Sequence, residues 1–129
     1  MSEAGHKRSI LLYCDSSAFD RLLDLFADVS LIDCKGQENE IVGEILENGK
    51  GVRKEKAGNG EDGLCYAVFD GFSDESLGNA IDTIRHYTGR EWVFATTTES
   101  NLSWRMNELL IELTEEHNYF RKARQKKVE

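Results

Sequence analysis

Glu40-Ile41-Val42-Gly43-Glu44-Ile45-Leu46-Glu47 is the stretch on which the fold turns. Ile41, Val42, Ile45 and Leu46 recur on one side at helical spacing, so the segment predicts a brief amphipathic helix. Strand-like runs flank it, Ser30 to Cys34 before and Leu64 to Phe69 after. If the helix is a crossover, all four strands of the chain can run parallel in a small doubly wound sheet ordered 2-1-3-4. If it is only an insertion, the second and third strands pair antiparallel. The pattern then becomes a split βαβ, ferredoxin-like domain with an added C-terminal helix.

The apolar runs Ile10–Cys14 and Leu64–Phe69 lack clean alternation, which marks strands covered on both faces and favours the first arrangement. The expected fold is therefore α/β: a four-stranded, mostly parallel sheet in the order 2-1-3-4, with flanking helices and a long C-terminal helix. After the first strand, Asp15, Ser16 and Ser17 offer helix-capping chemistry, with Ser17 and Asp20 spaced like a capping box. Phe19, Leu22, Leu23, Phe26 and Val29 continue at helical spacing. Ser73 can cap a helix running to about Tyr87 that buries Leu77, Ala80, Ile81 and Ile84, and Gly89 stops it. Trp92 to Ala95 reads as the fourth strand. The last helix is expected to start near Leu102 and run toward Lys126, with Met106, Leu109, Leu110, Leu113, His117 and Phe120 as one stripe.

Met1 to Arg8 reads as a flexible tail, and residues 9–127 as a single domain. That domain is interrupted at 48–63 by a glycine- and lysine-rich stretch expected to be a mobile loop, or a polar hairpin turning at Asn59-Gly60. The chain of 129 residues is too short for two well-built domains. No apolar run is long enough to span a bilayer, and the first eight residues have no apolar core for a signal peptide, so a cytoplasmic protein is expected. Proline is absent, so glycine carries the turns. Cys14, Cys34 and Cys65 form no close pair and an odd total, which suits buried reduced thiols better than zinc or disulfides.

The net charge is −8. A nucleic-acid ligand is disfavoured, because such binding draws on cations that neutralise phosphates. The one dense basic cluster, Arg121, Lys122, Arg124, Lys126 and Lys127, can serve the negative end of the last helix or a docking patch.

In the all-parallel fold the carboxyl ends of strands one, three and four share an edge, gathering Asp15, Ser16, Asp70, Ser73, Thr96, Thr97 and Thr98. Helix N-termini there would supply N–H groups for a phosphate or other anion, and the two aspartates could hold Mg²⁺. The plainer reading makes all seven cap and turn residues. In the ferredoxin-like fold Asp15 lies on the other edge and the group dissolves.

Glu108, Glu112, Glu115, Glu116 and His117 suggest a metal helix at first sight. The Glu-x-x-His spacing of dinuclear bundle sites is not met, however, since Thr114 stands three before His117. No metal is expected there. His117 instead reads as a histidine at a core edge or interface, bonded to a carboxylate. Trp104 reads as an anchor of the helix on the sheet.

Gly71-Phe72-Ser73, Ala95-Thr96-Thr97-Thr98, Asn101, Trp104 and Glu112-Leu113-x-x-Glu116-His117 together resemble the domain-of-unknown-function family numbered 3783, small prokaryotic proteins of similar length. The resemblance covers about Leu64 to Phe120, with a looser match at Leu11-Leu12-Tyr13. The family often has proline at the position of Thr97, and one residue is added here before Asn101. The resemblance implies one compact domain and brings no activity with it.

No nucleophile elbow, phosphate-binding loop or dinucleotide turn is present, and His6, His86 and His117 are the only histidines. The sequence therefore points away from an enzyme. It points toward an interaction or regulatory module that self-associates, or docks a protein partner, through its last helix. Trp104, Leu113, Glu116, His117 and Phe120 are the expected docking or interface residues. The alternative is a domain binding a phosphate-containing small molecule, with or without Mg²⁺, at the sheet's carboxyl edge.

Overall fold

A computed structural model describes residues 8–26, 28–48 and 64–128, with side chains as far as Lys122. The elements run β1 (Ser9–Tyr13), α1 (Ser16–Leu25), β2 (Ser30–Asp33), α2 (Val42–Asn48), β3 (Cys65–Asp70), α3 (Asp74–Thr88) and β4 (Trp92–Thr96). A 3-10 turn (Asn101–Ser103) and α4 (Met106–Val128) complete the order. Apart from Arg8 and Asn48, the expected tail and the glycine-rich loop with its Asn59-Gly60 turn lie outside the described residues.

The sheet order is β2-β1-β3-β4, as the sequence implies. Two of its three pairings are parallel, as expected of a mostly parallel sheet, and the third is not. β1 is parallel to β2 and β3 to β4, but β1 and β3 are antiparallel, with Ser9 opposite Asp70 and Tyr13 opposite Tyr66. The segment around Glu40 is indeed a helix, yet it does not carry the chain back to make β3 parallel to β1. The sheet is mixed, neither all-parallel nor ferredoxin-like.

Successive side chains of a strand point to opposite faces, so each central strand feeds two cores. Ile10, Leu12, Ala67 and Phe69 pack on one face with Phe19 and Leu22 of α1 and Ala80 and Ile84 of α3. Leu11 and Val68 pack on the other with Val42 and Ile45 of α2 and Met106, Leu109 and Leu113 of α4. A sheet covered on both sides explains the continuous apolar runs. β1-α1-β2-α2 and β3-α3-β4-α4 thus have the same arrangement, and the antiparallel seam between β1 and β3 relates them as a twofold axis through the sheet would. No internal sequence repeat announces this.

Local chemistry sets the ends of the helices. Ser73 and Ser76 exchange side-chain and backbone hydrogen bonds in a capping box that starts α3. Gly89, at φ 63°, ends it in the left-handed conformation that other residues adopt only at a cost. α1 departs from expectation at both ends. Its N-cap residue Asp15 makes no side-chain capping bond, because its carboxylate accepts from Arg90 instead. Phe26 and Val29 lie past its last turn, and Leu23 is half exposed. α4 begins at Met106 rather than Leu102, because the chain just before it is extended. Val42 N–H donates to Trp104 C=O, and Met106 and Asn107 N–H donate to Glu40 and Glu38 C=O. No helix among the described residues is long and apolar enough to cross a membrane.

Candidate functional site

The direction of β1 decides where the seven edge residues go. Since β1 runs against β3, its carboxyl end lies beside Cys65, while Asp70 ends β3 at the opposite edge. Asp15 and Ser16 are therefore parted from Asp70, Ser73, Thr96, Thr97 and Thr98. The shared crevice, and with it the two-aspartate Mg²⁺ arrangement, is not assembled. Among the described residues no group of three or more His, Cys, Asp or Glu side chains gathers as a metal site would need.

At the Asp15 edge the carboxylate pairs with Arg90, 2.7 Å away, from the turn before β4. Cys14 and Cys65 lie beside this pair, and burial pushes both thiols above the ordinary value. Tyr13 donates to Glu38 at 2.7 Å, with the Lys35 ammonium 5.1 Å above its ring. Burial and that carboxylate both hold the phenol protonated. The Tyr66 hydroxyl bonds the Thr114 hydroxyl, tying β3 to α4.

At the other edge the polar groups satisfy one another. Thr97 Oγ1 donates to Asp70 at 2.6 Å, and Thr97 N–H donates to Phe69 C=O. Asn101, only 8% exposed, accepts from Thr98 N–H at 2.8 Å and donates through Nδ2 to Thr96 C=O at 3.3 Å. Its own N–H donates to Thr98 Oγ1 at 3.0 Å. The N–H groups of Ser76, Thr98 and Asn101 are thus already spent inside the turns. The segment Thr96 to Asn101 works as a closed turn that aims α4 back across the sheet. Replacing Asn101 with Ala would strand Thr98 N–H and Thr96 C=O. A loss of about 1–3 kcal/mol in urea unfolding is expected, against less than about 0.5 kcal/mol for Ser103→Ala on the exposed side.

α4 divides in two. Met106, Leu109, Leu110 and Leu113 are buried, and Trp104 packs half-buried against the same cluster. His117 Nε2 lies 3.0 Å from Glu91 Oε2 and ties the helix to the sheet's end, with Arg121 at 4.0 Å from the same oxygen. Glu116 faces solvent. Beyond His117, Tyr119 and Phe120 are 68% and 59% exposed, their rings edge to face at 5.5 Å. Phe120 continues the stripe that Leu113 and His117 occupy, but past the end of the sheet. Sequence reasoning missed the partners Arg90 and Glu91. Both sit in the turn into β4, and only knowledge of the antiparallel seam would bring that turn to Asp15.

The sequence model of the family described as Domain of unknown function (DUF3783) matches residues 67–120. That span runs from within β3 to the first turns of α4 beyond the sheet, nearly the whole of one β-α-β-α unit, and it includes the Thr96–Asn101 turn. Comparison with curated proteins and with solved structures returns no match.

Proposed function

We propose that this chain is a non-catalytic, cytoplasmic interaction module whose docking element is the outer part of α4. The observation that carries this reading is the exposure of Tyr119 and Phe120, 68% and 59%, on a helix whose earlier apolar positions are buried. α4 has 23 residues and so spans about 35 Å, whereas a five-residue strand covers only about 17 Å. Helices of this length owe most of their stability to packing of an apolar face, and beyond His117 the ring pair is what the described side chains offer for that. Large aromatics in such a place are what a protein partner buries first. Three buried free thiols suit a reducing compartment.

Photo-cross-linking in intact cells tests the reading. A benzophenone amino acid replaces Tyr119, and in a control Tyr87, an exposed aromatic on α3 across the sheet. Discrete adducts from position 119 and none from 87 are expected. Equal labelling at both, or none at 119, would remove the proposal.

A further inference from the structure

We propose that Cys14 and Cys65 are a site of reversible oxidation, where hydrogen peroxide joins their sulfurs in a disulfide across the β1–β3 seam. The site lies on the face covered by α1 and α3, away from α4, and stands apart from the docking reading. The seam's register runs from Ser9 opposite Asp70 to Tyr13 opposite Tyr66. One step further it sets Cys14 against Cys65, and both side chains enter the first core. The two are distant in the sequence, and the antiparallel direction of the seam is what makes them neighbours.

The kind of pair decides whether a bond can form. Cys65 N–H donates to Glu91 C=O on the side of β4, and so does not reach across to β1. Leu12 C=O likewise accepts from Cys34 N–H on the side of β2. By the alternation of a strand, Cys14 and Cys65 therefore face each other as a non-hydrogen-bonded pair. In such pairs the Cα atoms stand about 4.5 Å apart and the side chains approach most closely. A disulfide joins Cα atoms roughly 4.4–6.8 Å apart, so the pair is within its reach. After burial, Cys65 is the strongest influence on the Cys14 thiol, as its nearness requires. Cys34 is set apart from both. It enters the second core on the other face of the sheet, where its thiol donates to Ile32 C=O at 3.8 Å.

Cys14 and Cys65 are buried, which keeps them reduced and slow toward bulky reagents. The Asp15–Arg90 ion pair beside them is 19% and 35% exposed, so a water-sized oxidant has little to cross. Cys65 is the better first nucleophile, because Arg90, Lys35 and the Asp15 backbone all favour its thiolate against the effect of burial. Its sulfur attacks the peroxide. An S–O bond forms as the O–O bond breaks, and the departing hydroxide takes a proton to become water. The Cys14 sulfur then attacks the sulfenic sulfur, S–S forms, and the oxygen leaves as a second water. Two thiols thus give up two electrons and two protons, and one peroxide becomes two waters. The bond fastens the two β-α-β-α halves together at one end of their seam.

Tryptic cuts after Arg8, Arg21, Lys35, Lys56 and Arg85 leave the three cysteines on separate peptides, so peptide mapping identifies every pairing. The folded full chain is treated with hydrogen peroxide, its remaining thiols are blocked with iodoacetamide in urea, and it is digested without reductant. The expected product links the peptides of Cys14 and Cys65 within one chain, leaves Cys34 alkylated, and is reversed by dithiothreitol. The same treatment of the chain unfolded in urea is expected to scatter among the three pairings. The oxidised chain should also unfold at a higher urea midpoint than the reduced one, because the bond restricts the unfolded state. Cys34→Ala should keep both results and Cys14→Ala should lose both, with circular dichroism to show that each is folded. Three thiols still open to alkylation, sulfinic acid without a link, a link that includes Cys34, or a midpoint that does not rise overturns the inference.

Discussion

On raising the pH from 7 to about 10, the protein is expected to lose about 3 kcal/mol of folding stability, and about 5 kcal/mol by pH 11, through Cys14 and Cys34 alone. An unfolded thiol loses its proton near pH 9. In the folded chain burial is the main force holding the proton on both sulfurs, with the Asp33 carboxylate pushing the same way. Above pH 9 the unfolded state thus binds fewer protons than the folded one, and stability that is full below that pH falls as pH rises. Each thiol contributes a slope of up to about 1.4 kcal/mol per pH unit. Cys65 acts in the same direction, with Arg90 and Lys35 offsetting part of the effect of its burial. Urea midpoints measured from pH 7 to 11 give the slope directly. In Cys34→Ala the slope should fall by roughly one thiol's share. An unchanged slope in a Cys14→Ala/Cys34→Ala double variant would show that other groups govern the alkaline limit.

Phe69→Ala is expected to cost about 3–5 kcal/mol, enough to leave a marginal domain of this size largely unfolded. Phe69 is 1% exposed at the centre of the first core, with Phe72 edge-on at 5.1 Å and Phe94 at 6.0 Å. Truncation there loses the ring's transfer free energy and opens a space that β3, held between β1 and β4, cannot close. Leu23→Ala on α1, at a half-exposed position, should cost under about 0.5 kcal/mol in the same urea titration. Similar costs for the two would mean that the core is far looser than its burial implies.

Much of the fold was legible because period and capping chemistry are local. Ser73, Gly89 and the stripe from Met106 to Leu113 each do what their spacing implies. The direction of β3 was not legible. Ile10 to Cys14 and Leu64 to Phe69 are buried on both faces whichever way they run, so their hydrophobic pattern is silent on pairing. The stretch between Asn48 and Leu64 is long enough to return the chain to either edge. From that one ambiguity came the error over the candidate site, since Asp15 stands at one edge or the other according to it. Asn101 illustrates a different gap. Its place in a recurring motif was visible, but its work as the bracket of a turn depends on where Thr96 and Thr98 turn their backbone.

The seam between β1 and β3 also bears on how the chain reaches its fold. Each β-α-β-α half closes over short stretches of sequence, while the five residue pairs of the seam join positions more than fifty apart. Contacts of that range carry the loop-closure entropy and set the pace of folding. That entropy grows only with the logarithm of loop length, about 0.6 kcal/mol for each doubling. A longer or shorter connection between the halves would therefore change the cost of closure only slightly. The seam itself is the place where both halves must arrive already shaped.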